Sequence, residues 1–324
     1  MSTIRLVLGG DVMLGRNFND IFDSDYDFNP WGNTKSLTST GDIFSANLET
    51  TITNYSKKWP DKRFNYRMNP QDGFKLLEGN FNYLSLANNH ILDYRRQGVI
   101  DTMSNLDKLG IWYSGAGLNI TQARQSVYFK IDKPELSMRV NYLSASNYFS
   151  EWSSGSNNEG IWYIDIENWE AYKENVINRI KDVRINCDIL VFNMHFGPNW
   201  LDCPTDSMRQ FAHDIICAGV DILQGHSAHH VLPLEVVKRE IKMNENIKTD
   251  CGVVFYSLGC LIDDYVVNKK YRNDLGLLCC IDIDKMWNKN VKLFPTKISN
   301  YQVNLLTDDD LEYHYIIDRL TQSF

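Results

Sequence analysis

The sequence predicts an α/β fold in which polar side chains collect at the carboxyl ends of buried strands. First, short apolar runs typical of strands alternate with segments of helical periodicity. Second, several of these runs end abruptly in Asp, Glu, Asn or His. Open α/β sheets bind ligands beyond the carboxyl ends of their strands. We therefore expect a functional site at one edge of a sheet.

Composition narrows the class of protein. The 324 residues are 43% hydrophobic and 23% charged, which is ordinary for a globular protein, and the net charge of -8 argues against nucleic acid as a partner. No apolar stretch approaches the roughly 18 residues of a membrane span, and the first residues lack a secretory pattern. The 7 cysteines lack metal-type spacing, as is typical of reduced thiols. We expect a soluble cytoplasmic protein without a membrane span.

The first two predicted strands end in acidic side chains. Residues 4–8 form a strand that passes through two glycines to Asp11, and residues 42–46 form a strand that leads into Asn47 and Glu49. Because side chains alternate along a strand, Asn47 and Glu49 should point to the same side.

The next strand, residues 81–85, leads into a run with two asparagines, a histidine and an aspartate. Asn89, His90 and Asp93 offer an amide, an imidazole and a carboxylate within one short arc. The alternative is an Asx-rich turn in which Asp93 or Asn89 caps the following helix. That helix is predicted over 98–109 and should stop at Gly110. The segment 55–70 reads as a long surface loop that either contacts substrate or is merely irregular.

The second half of the chain repeats the pattern with histidines. The strand at 187–194 ends in His195, and the strand at 220–224 leads to His226, His229 and His230. The remaining predicted strands are 111–113, 126–131, 139–143, 232–237, 253–258, 275–283 and 291–296, and the remaining helices are 166–185, 208–218 and 308–320. No Pro-, Gly- or Ser-rich linker interrupts the chain, so we expect one domain over 1–324.

Five of the 7 histidines lie at predicted strand ends. A lone histidine there is usually structural, but three strand ends with histidine beside others with carboxylates are hard to explain in that way. Imidazole, carboxylate and amide ligands suit Mn²⁺, Zn²⁺ or Fe. Two such ions about 3.5–4 Å apart would form a hydrolytic centre.

These strand ends carry five motifs in a fixed order, followed by a closing segment. The motifs are Gly10-Asp11-Val12-Met13-Leu14, Asn47-Leu48-Glu49, Ala87-Asn88-Asn89-His90, His195-Phe196-Gly197 and Gly225-His226-Ser227-Ala228-His229, and the closing segment includes Phe255-Tyr256-Ser257-Leu258-Gly259 and Asp263-Asp264-Tyr265. The series resembles the CapA family of capsule (poly-γ-glutamate) biosynthesis proteins, which looks like a branch of the calcineurin-like metallophosphoesterases. The resemblance covers 5–265, and 266–324 would add closing strands and a helix.

The resemblance implies a four-layer αββα sandwich of two mixed sheets flanked by helices, with two divalent ions (Mn, Zn or Fe) at the strand ends. Asp11 and His229 would bind the first ion and Glu49 would bridge. Asn89, His195 and His226 would bind the second ion. His90 would be the cationic acid or the charge-stabilising group beside the leaving oxygen, oriented by Asp93. The expected substrate-binding residues are Arg16, Asn47, Arg67 and His230, although either arginine is as consistent with an ordinary ion-paired residue.

The sequence also departs from the family pattern. Met13 stands where the phosphoesterase motif has histidine, Glu49 replaces an aspartate, and Cys260 replaces Asn or Asp. The last motif has an extra residue, so that either His229 or His230 would be the inward ligand. A lost ligand would leave the first site weak or able to hold a single ion.

Three functions fit these residues. The first is a metal-dependent hydrolase or transferase acting on a phosphate ester or an anionic amide-linked polymer. The second is a non-catalytic accessory protein that binds the polymer or helps to assemble other capsule-synthesis proteins. The third is a structural protein whose polar strand ends have no remaining role. The pair of His90 and Asp93 favours the first, because a pure binder needs no poised proton donor, whereas Met13 favours the second.

Overall fold

The computed structural model describes residues 2–243 and 246–322. Two mixed β-sheets of eight and six strands pack face to face, and helices cover their outer faces. Two additional pairs of short strands lie outside these sheets. The predicted α/β class, with two mixed sheets flanked by helices, is confirmed.

The strands follow the chain in this order: β1 (Ile4–Val12), β2 (Ile43–Leu48), β3 (Thr51–Ile52), β4 (Arg67–Met68), β5 (Tyr83–Ser85), β6 (Trp112–Ser114), β7 (Ala116–Gly117), β8 (Val127–Lys133), β9 (Leu136–Ser146), β10 (Gly160–Ile161), β11 (Ile189–His195), β12 (Ile222–His226), β13 (Leu234–Met243), β14 (Asn246–Phe255), β15 (Cys260–Ile262), β16 (Leu275–Ile283), β17 (Lys289–Ser299) and β18 (Gln302–Leu305). The α-helices are α1 (Asn17–Ser24), α2 (Lys35–Thr38), α3 (Phe74–Glu78), α4 (Arg95–Leu109), α5 (Ile120–Ala123), α6 (Trp169–Arg184), α7 (Asp206–Ala218) and α8 (Leu311–Leu320).

The eight-stranded sheet has the order β18-β17-β16-β1-β2-β5-β6, and β15 also pairs with β1. Strands β1, β2, β5 and β6 run parallel, so their carboxyl ends lie at one edge. The six-stranded sheet has the order β13-β14-β12-β11-β9-β8, in which β14, β12, β11 and β9 run parallel. The polar ends of β1 and β12 lie close together where the two sheets meet. Asp11 Oδ1 there lies 3.2 Å from His226 Nδ1.

Side-chain alternation creates the layers. On β1, Leu6 and Leu8 belong to the apolar core between the sheets, whereas Val7 belongs to the core beneath α1 and α4. On β11, Val191 faces the inner core and Leu190 faces the core beneath α6 and α7. Strands buried on both faces have almost continuous apolar sequences, which explains why these runs are easy to recognise.

Most predicted elements are present with shifted ends. The strand at 275–283 is confirmed, and α4 ends at Gly110, which adopts a left-handed conformation with φ 69°. The prediction of a surface loop over 55–70 is wrong in part, because this segment contains β4 and the buried side chain of Met68. The sequence analysis also missed α1, α3 and β15. Within the described residues, no helix is long and apolar enough to cross a membrane.

A buried glutamine joins the two sheets directly below the polar edge. Gln224 of β12 is fully buried, and its amide nitrogen donates to the carbonyl of Gly9 at 2.8 Å and to that of Ser45 at 3.2 Å. Its amide oxygen accepts from the Ser45 hydroxyl at 2.9 Å. This amide therefore fixes the six-stranded sheet against β1 and β2, the strands that present Asp11 and Glu49.

We expect Gln224→Leu to lower the free energy of unfolding by about 1–3 kcal/mol, because it leaves buried backbone and hydroxyl groups without partners. Urea denaturation measures this change. The control is Gln125→Leu at an exposed position, which should stay within about 0.5 kcal/mol of the unsubstituted protein. Equal stability of both variants would show that the amide does not hold the sheets together.

Candidate metal centre

Asp11 lies at a backbone irregularity near the end of β1. The register of β1 shifts between Leu8 and Asp11 against β2. The backbone of Asp11 donates to the carbonyl of Gly259 at 3.0 Å. Gly10 permits this approach, since a Cβ there would lie 1.9 Å from the Gly259 oxygen. The side chain of Asp11 is thereby carried into the buried edge where the two sheets meet.

The Asp11 carboxylate is surrounded by groups that stabilise its negative charge. It accepts from the Asn47 amide at 2.8 Å and from the backbone of Ser227 at 3.3 Å. Burial alone would raise the pKa of Asp11, but the close approach and charge of His226, together with the charges of His195 and His229, lower it.

Glu49 follows β2 and is fully buried, yet neither of its carboxylate oxygens has a hydrogen-bond partner among the described residues. The nearest imidazole nitrogens are His229 Nδ1 at 3.8 Å and His90 Nε2 at 4.0 Å. Burial, and next the charge of Asp11, raises the pKa of Glu49 well above its usual value. A buried carboxylate without partners is costly, and such a group is suited to bind a cation.

His195 and His226 are paired neighbours at the ends of β11 and β12. Each has one buried ring nitrogen without a hydrogen-bond partner within the described part of the chain: Nε2 of His195 and Nδ1 of His226. The other nitrogen of His226 lies 3.2 Å from the Asn193 side-chain oxygen, which can only accept. Nδ1 of His226 faces Asp11 Oδ1 at 3.2 Å, so that both atoms could bind the same metal ion. Burial lowers the pKa of His195 well below its usual value, which favours the neutral form.

The structure separates the two adjacent histidines of the last motif. His229 has a left-handed backbone with φ 60°, and its Nδ1 lies 3.7 Å from Asp11 Oδ2. Burial lowers the pKa of His229 to about 4. His230 instead stacks with Tyr271 at 4.9 Å between ring centroids, and its Nδ1 faces Arg319 at 3.2 Å. His229 is therefore the inward residue of the pair.

Two groups of three side chains within the described residues have the proximity that a metal ion requires. One consists of Asp11, Glu49 and His195, and the other of Asp11, His229 and Cys260; within each group the ligand atoms lie within 4.8 Å of one another. Asp11 is common to both groups, whereas the resemblance implied that Glu49 would bridge. Asn89, which directly precedes His90, has a buried side-chain oxygen without a hydrogen-bond partner among the described residues. Oxygen and nitrogen donors of this kind suit a divalent ion such as Zn²⁺, Mn²⁺ or Fe²⁺.

His90 borders this cluster and is held by Asp93. Nδ1 of His90 lies 2.6 Å from Asp93 Oδ2, and its ring stacks on Tyr66 with centroids 4.1 Å apart. The Lys62 ammonium donates to Asp93 Oδ1 and lies 3.1 Å from His90 Nδ1. Burial lowers the pKa of His90, while Asp93 acts to raise it and Lys62 acts to lower it further. Together these effects leave the pKa of His90 below its usual value, whereas the resemblance implied a cationic or charge-stabilising His90.

Asp93 does not cap the following helix. The residue before α4 is Tyr94, without a side-chain capping bond. The turn does contain an Asx hydrogen bond, from the backbone of His90 to the Asn88 side-chain oxygen at 3.0 Å, so only the capping part of the simpler interpretation is wrong. The Asp93 carboxylate instead accepts from the backbone of Tyr66 at 2.6 Å, and its carbonyl accepts from the backbone of Trp59 at 2.7 Å. We define the segment 59–66 as the covering loop. Asp93 thus holds both ends of this loop by hydrogen bonds next to His90.

The four predicted substrate-binding residues lie in different surroundings. Asn47 is inside the cluster, 3.2 Å from His195 Nδ1. Arg16 pairs with Asp264 at 3.4 Å, and Arg67 donates to the carbonyl of Tyr55 at 3.1 Å. Neither arginine contacts the groups that include Asp11, and His230 has the separate contacts given above. Their roles in substrate binding stay predictions.

Sequence reasoning missed Lys62, Asp263 and the nearness of Cys260. Burial raises the pKa of Asp263 to about 7, and no described residue forms a hydrogen bond with one of its buried oxygens. Lys62 lies in an irregular polar segment with no periodicity that would predict its burial. For Asp263, the closing motif was the available signal.

Comparison with known proteins gives a consistent family. Residues 5–265 match the sequence profile described as bacterial capsule synthesis protein PGA_cap. A probable polyglutamine synthesis accessory protein of Mycobacterium tuberculosis is 26% identical over 362 residues, spanning 99% of this chain and 92% of that protein. The capsule biosynthesis protein CapA of Bacillus anthracis is 26% identical over 270 residues, spanning 81% of this chain and 60% of that protein. A solved 5'-nucleotidase from Candida albicans aligns with 96% of this chain and 52% of that chain, at a TM-score of 0.45 and 10% identity.

We expect Asp93→Asn to release the covering loop, because a neutral amide is a weaker acceptor for the Tyr66 backbone and the Lys62 ammonium. Hydrogen bonds to charged groups contribute about 1.5–3 kcal/mol, so the Tyr66 amide should exchange its hydrogen roughly 10–100 times faster. Hydrogen exchange of the full chain measures this rate.

The matched control is Asp101→Asn, which removes an acceptor for the Thr53 hydroxyl just before this loop and leaves the contacts of Asp93 intact. Its Tyr66 amide should exchange at the unsubstituted rate. An unchanged rate in Asp93→Asn would mean that the aspartate does not hold the loop.

Proposed function

The chain belongs to the family of bacterial capsule synthesis proteins, and on that premise we propose that it is a metal-dependent hydrolase acting on an anionic substrate. The substrate would be a phosphate ester or an anionic amide-linked polymer such as polyglutamate. The observation that carries the proposal is the position of His90, whose Nε2 faces the partnerless carboxylate of Glu49 at 4.0 Å while Nδ1 is held by Asp93. A site that only binds the polymer has no need of an imidazole held in a fixed orientation beside a group of candidate metal ligands.

The residues suited to hold one or two divalent ions are those that converge on the buried edge: Asp11, Glu49, Asn89, His195, His226 and His229. Four of them, Glu49, Asn89, His195 and His226, have buried oxygens or nitrogens without hydrogen-bond partners among the described residues, which supports this assignment. When bound there, divalent ions would polarise the substrate and lower the pKa of water at the centre. The protein would supply a site closed to bulk water, since Asp11, Glu49 and the three histidines are at most 5% exposed.

His90 would act at the leaving oxygen through Nε2. Asp93 accepts the hydrogen of Nδ1, which fixes the ring orientation and stabilises positive charge on the ring as a proton moves. The Tyr66 ring stacked on the imidazole limits its rotation. Because burial keeps the pKa of His90 low in the resting protein, the negative charge of an arriving anion would assist its protonation.

Lys62 is the best placed cation for the anionic substrate. Its side chain is 12% exposed and lies in direct contact with Asp93 and His90. Arg16 is 38% exposed and is shared with Asp264. We infer that Lys62 contributes to the attraction of anions at the mouth of the site and that Arg16 is a secondary contact.

The alternative function is a non-catalytic protein that binds the polymer or assists other capsule-synthesis proteins through a degenerate site. Met13 favours it, because this side chain stands where a histidine ligand would be expected and its sulfur instead accepts from the backbone of Gly15 at 3.2 Å. The two functions are separable, since a binding protein would retain affinity for the polymer without turnover.

We expect Mn²⁺- or Zn²⁺-loaded protein to hydrolyse a phosphodiester such as bis(p-nitrophenyl) phosphate or to shorten poly-γ-glutamate. His90→Ala should lower kcat by about 10²–10⁴-fold, the usual contribution of general acid–base catalysis. Absorbance of released nitrophenol and chain length on gels measure the two reactions.

The control is His314→Ala, at an exposed position on α8, which should keep full activity and metal content. Hydrolysis that survives in His90→Ala would contradict the role of His90. Tight polymer binding without hydrolysis by any loaded form would favour the accessory protein.

A further inference from the structure

Cys260 is the first residue of β15, which pairs in parallel with β1. The register places Cys260 directly opposite Asp11, and the thiol side chain is fully buried. The β-ladder, rather than a flexible loop, therefore sets the distance between this sulfur and the Asp11 carboxylate.

The sulfur and two other donors have the spacing of a common coordination sphere. Cys260 Sγ lies 3.5 Å from His229 Nδ1, which lies 3.7 Å from Asp11 Oδ2. Around a tetrahedral ion with a bond of about 2.3 Å to sulfur and about 2.1 Å to nitrogen, these two atoms would be roughly 3.6 Å apart. The left-handed backbone of His229, with φ 60°, turns its ring to this position.

A second observation points to a cation at the same place. Glu49 Oε2 lies 3.8 Å from His229 Nδ1, and both oxygens of this fully buried carboxylate lack hydrogen-bond partners among the described residues. Asp263, three residues after Cys260, also has a buried oxygen for which the described part of the chain offers no hydrogen-bond donor. Glu49 and Asp263 thus both have buried carboxylate oxygens that no donor among the described residues satisfies.

We propose that Cys260 binds a metal ion as a thiolate, together with Asp11 and His229, and that this position selects Zn²⁺ or Fe²⁺ over Mn²⁺ and Mg²⁺. The thiol proton passes to solvent as the sulfur–metal bond forms. Soft sulfur ligands favour Zn and Fe, whereas oxygen ligands suit Mg and Mn. This assignment deepens the proposed metal-dependent function. It rests on that function only for a second metal position, which would be formed by Asp11, Glu49 and His195.

The test uses Co²⁺ as a spectroscopic probe in the full-length chain. A cobalt–thiolate bond produces a charge-transfer band in the near ultraviolet that oxygen and nitrogen ligands do not produce. We expect this band in the unsubstituted protein and in Cys279→Ala, where the removed thiol is equally buried but lies in the core between the sheets. Cys260→Ala and Cys260→Asp should both lose the band.

Zn²⁺ competition provides the affinity. Cys260→Ala should weaken Zn²⁺ binding at this position by roughly 10–100-fold or more, since even substitutions outside the coordination sphere cost that much. Cys260→Asp should restore binding and shift the preference towards Mn²⁺. Zinc-edge X-ray absorption of the unsubstituted protein needs no variant and should show one sulfur at about 2.3 Å.

Bound Co²⁺ without the charge-transfer band, or a zinc spectrum without sulfur, would overturn the assignment while leaving the proposed hydrolase intact. A clear thiolate band in a protein that hydrolyses nothing would keep the assignment and remove the hydrolase. Unchanged Zn²⁺ affinity in Cys260→Ala would also overturn it.

Discussion

The constraint on which the rest of the site depends is the burial of two carboxylates, Asp11 and Glu49, at one edge of the sandwich. Asp11 is stabilised by amide donors and imidazoles, whereas Glu49 has no hydrogen-bond donor facing it among the described residues. Removing a carboxylate from water costs several kcal/mol, and a second negative charge nearby adds to the penalty. Burial and the charge of Asp11 raise the pKa of Glu49 well above its usual value, and a cation bound between the two carboxylates would offset this penalty.

The fold brings these groups together by strand ends alone. Parallel strands of both sheets finish at the same edge, so that carboxylates from one sheet meet histidines from the other. Gln224 fixes the sheets just below this edge, and Asp93 fastens the covering loop just above it. The centre is therefore rigid at its base, and its cover depends on a single carboxylate that also orients His90.

The sequence predicts site residues that directly follow a strand, but not those whose position depends on contacts between residues far apart in the chain. Asp11, Glu49, His195 and His226 are visible because each follows an apolar strand, and strands buried on both faces are easily recognised. Lys62 is not visible, because its burial depends on a loop that folds back onto Asp93. Cys260 was noted as a departure, but its nearness to Asp11 follows from the register of β15, which the sequence analysis did not predict. The two adjacent histidines could be distinguished only by the backbone conformation of His229.

The most direct test of the central claim is the metal content of the full chain, purified without chelators, beside an Asp11→Ala and His226→Ala double variant. Elemental analysis should find one or two Zn, Fe or Mn ions per chain in the unsubstituted protein and a near-complete loss in the variant, because Asp11 belongs to both candidate groups. Absence of metal from the unsubstituted protein, even after reloading with Zn²⁺ or Mn²⁺, would contradict the account and leave Glu49 as a protonated buried acid.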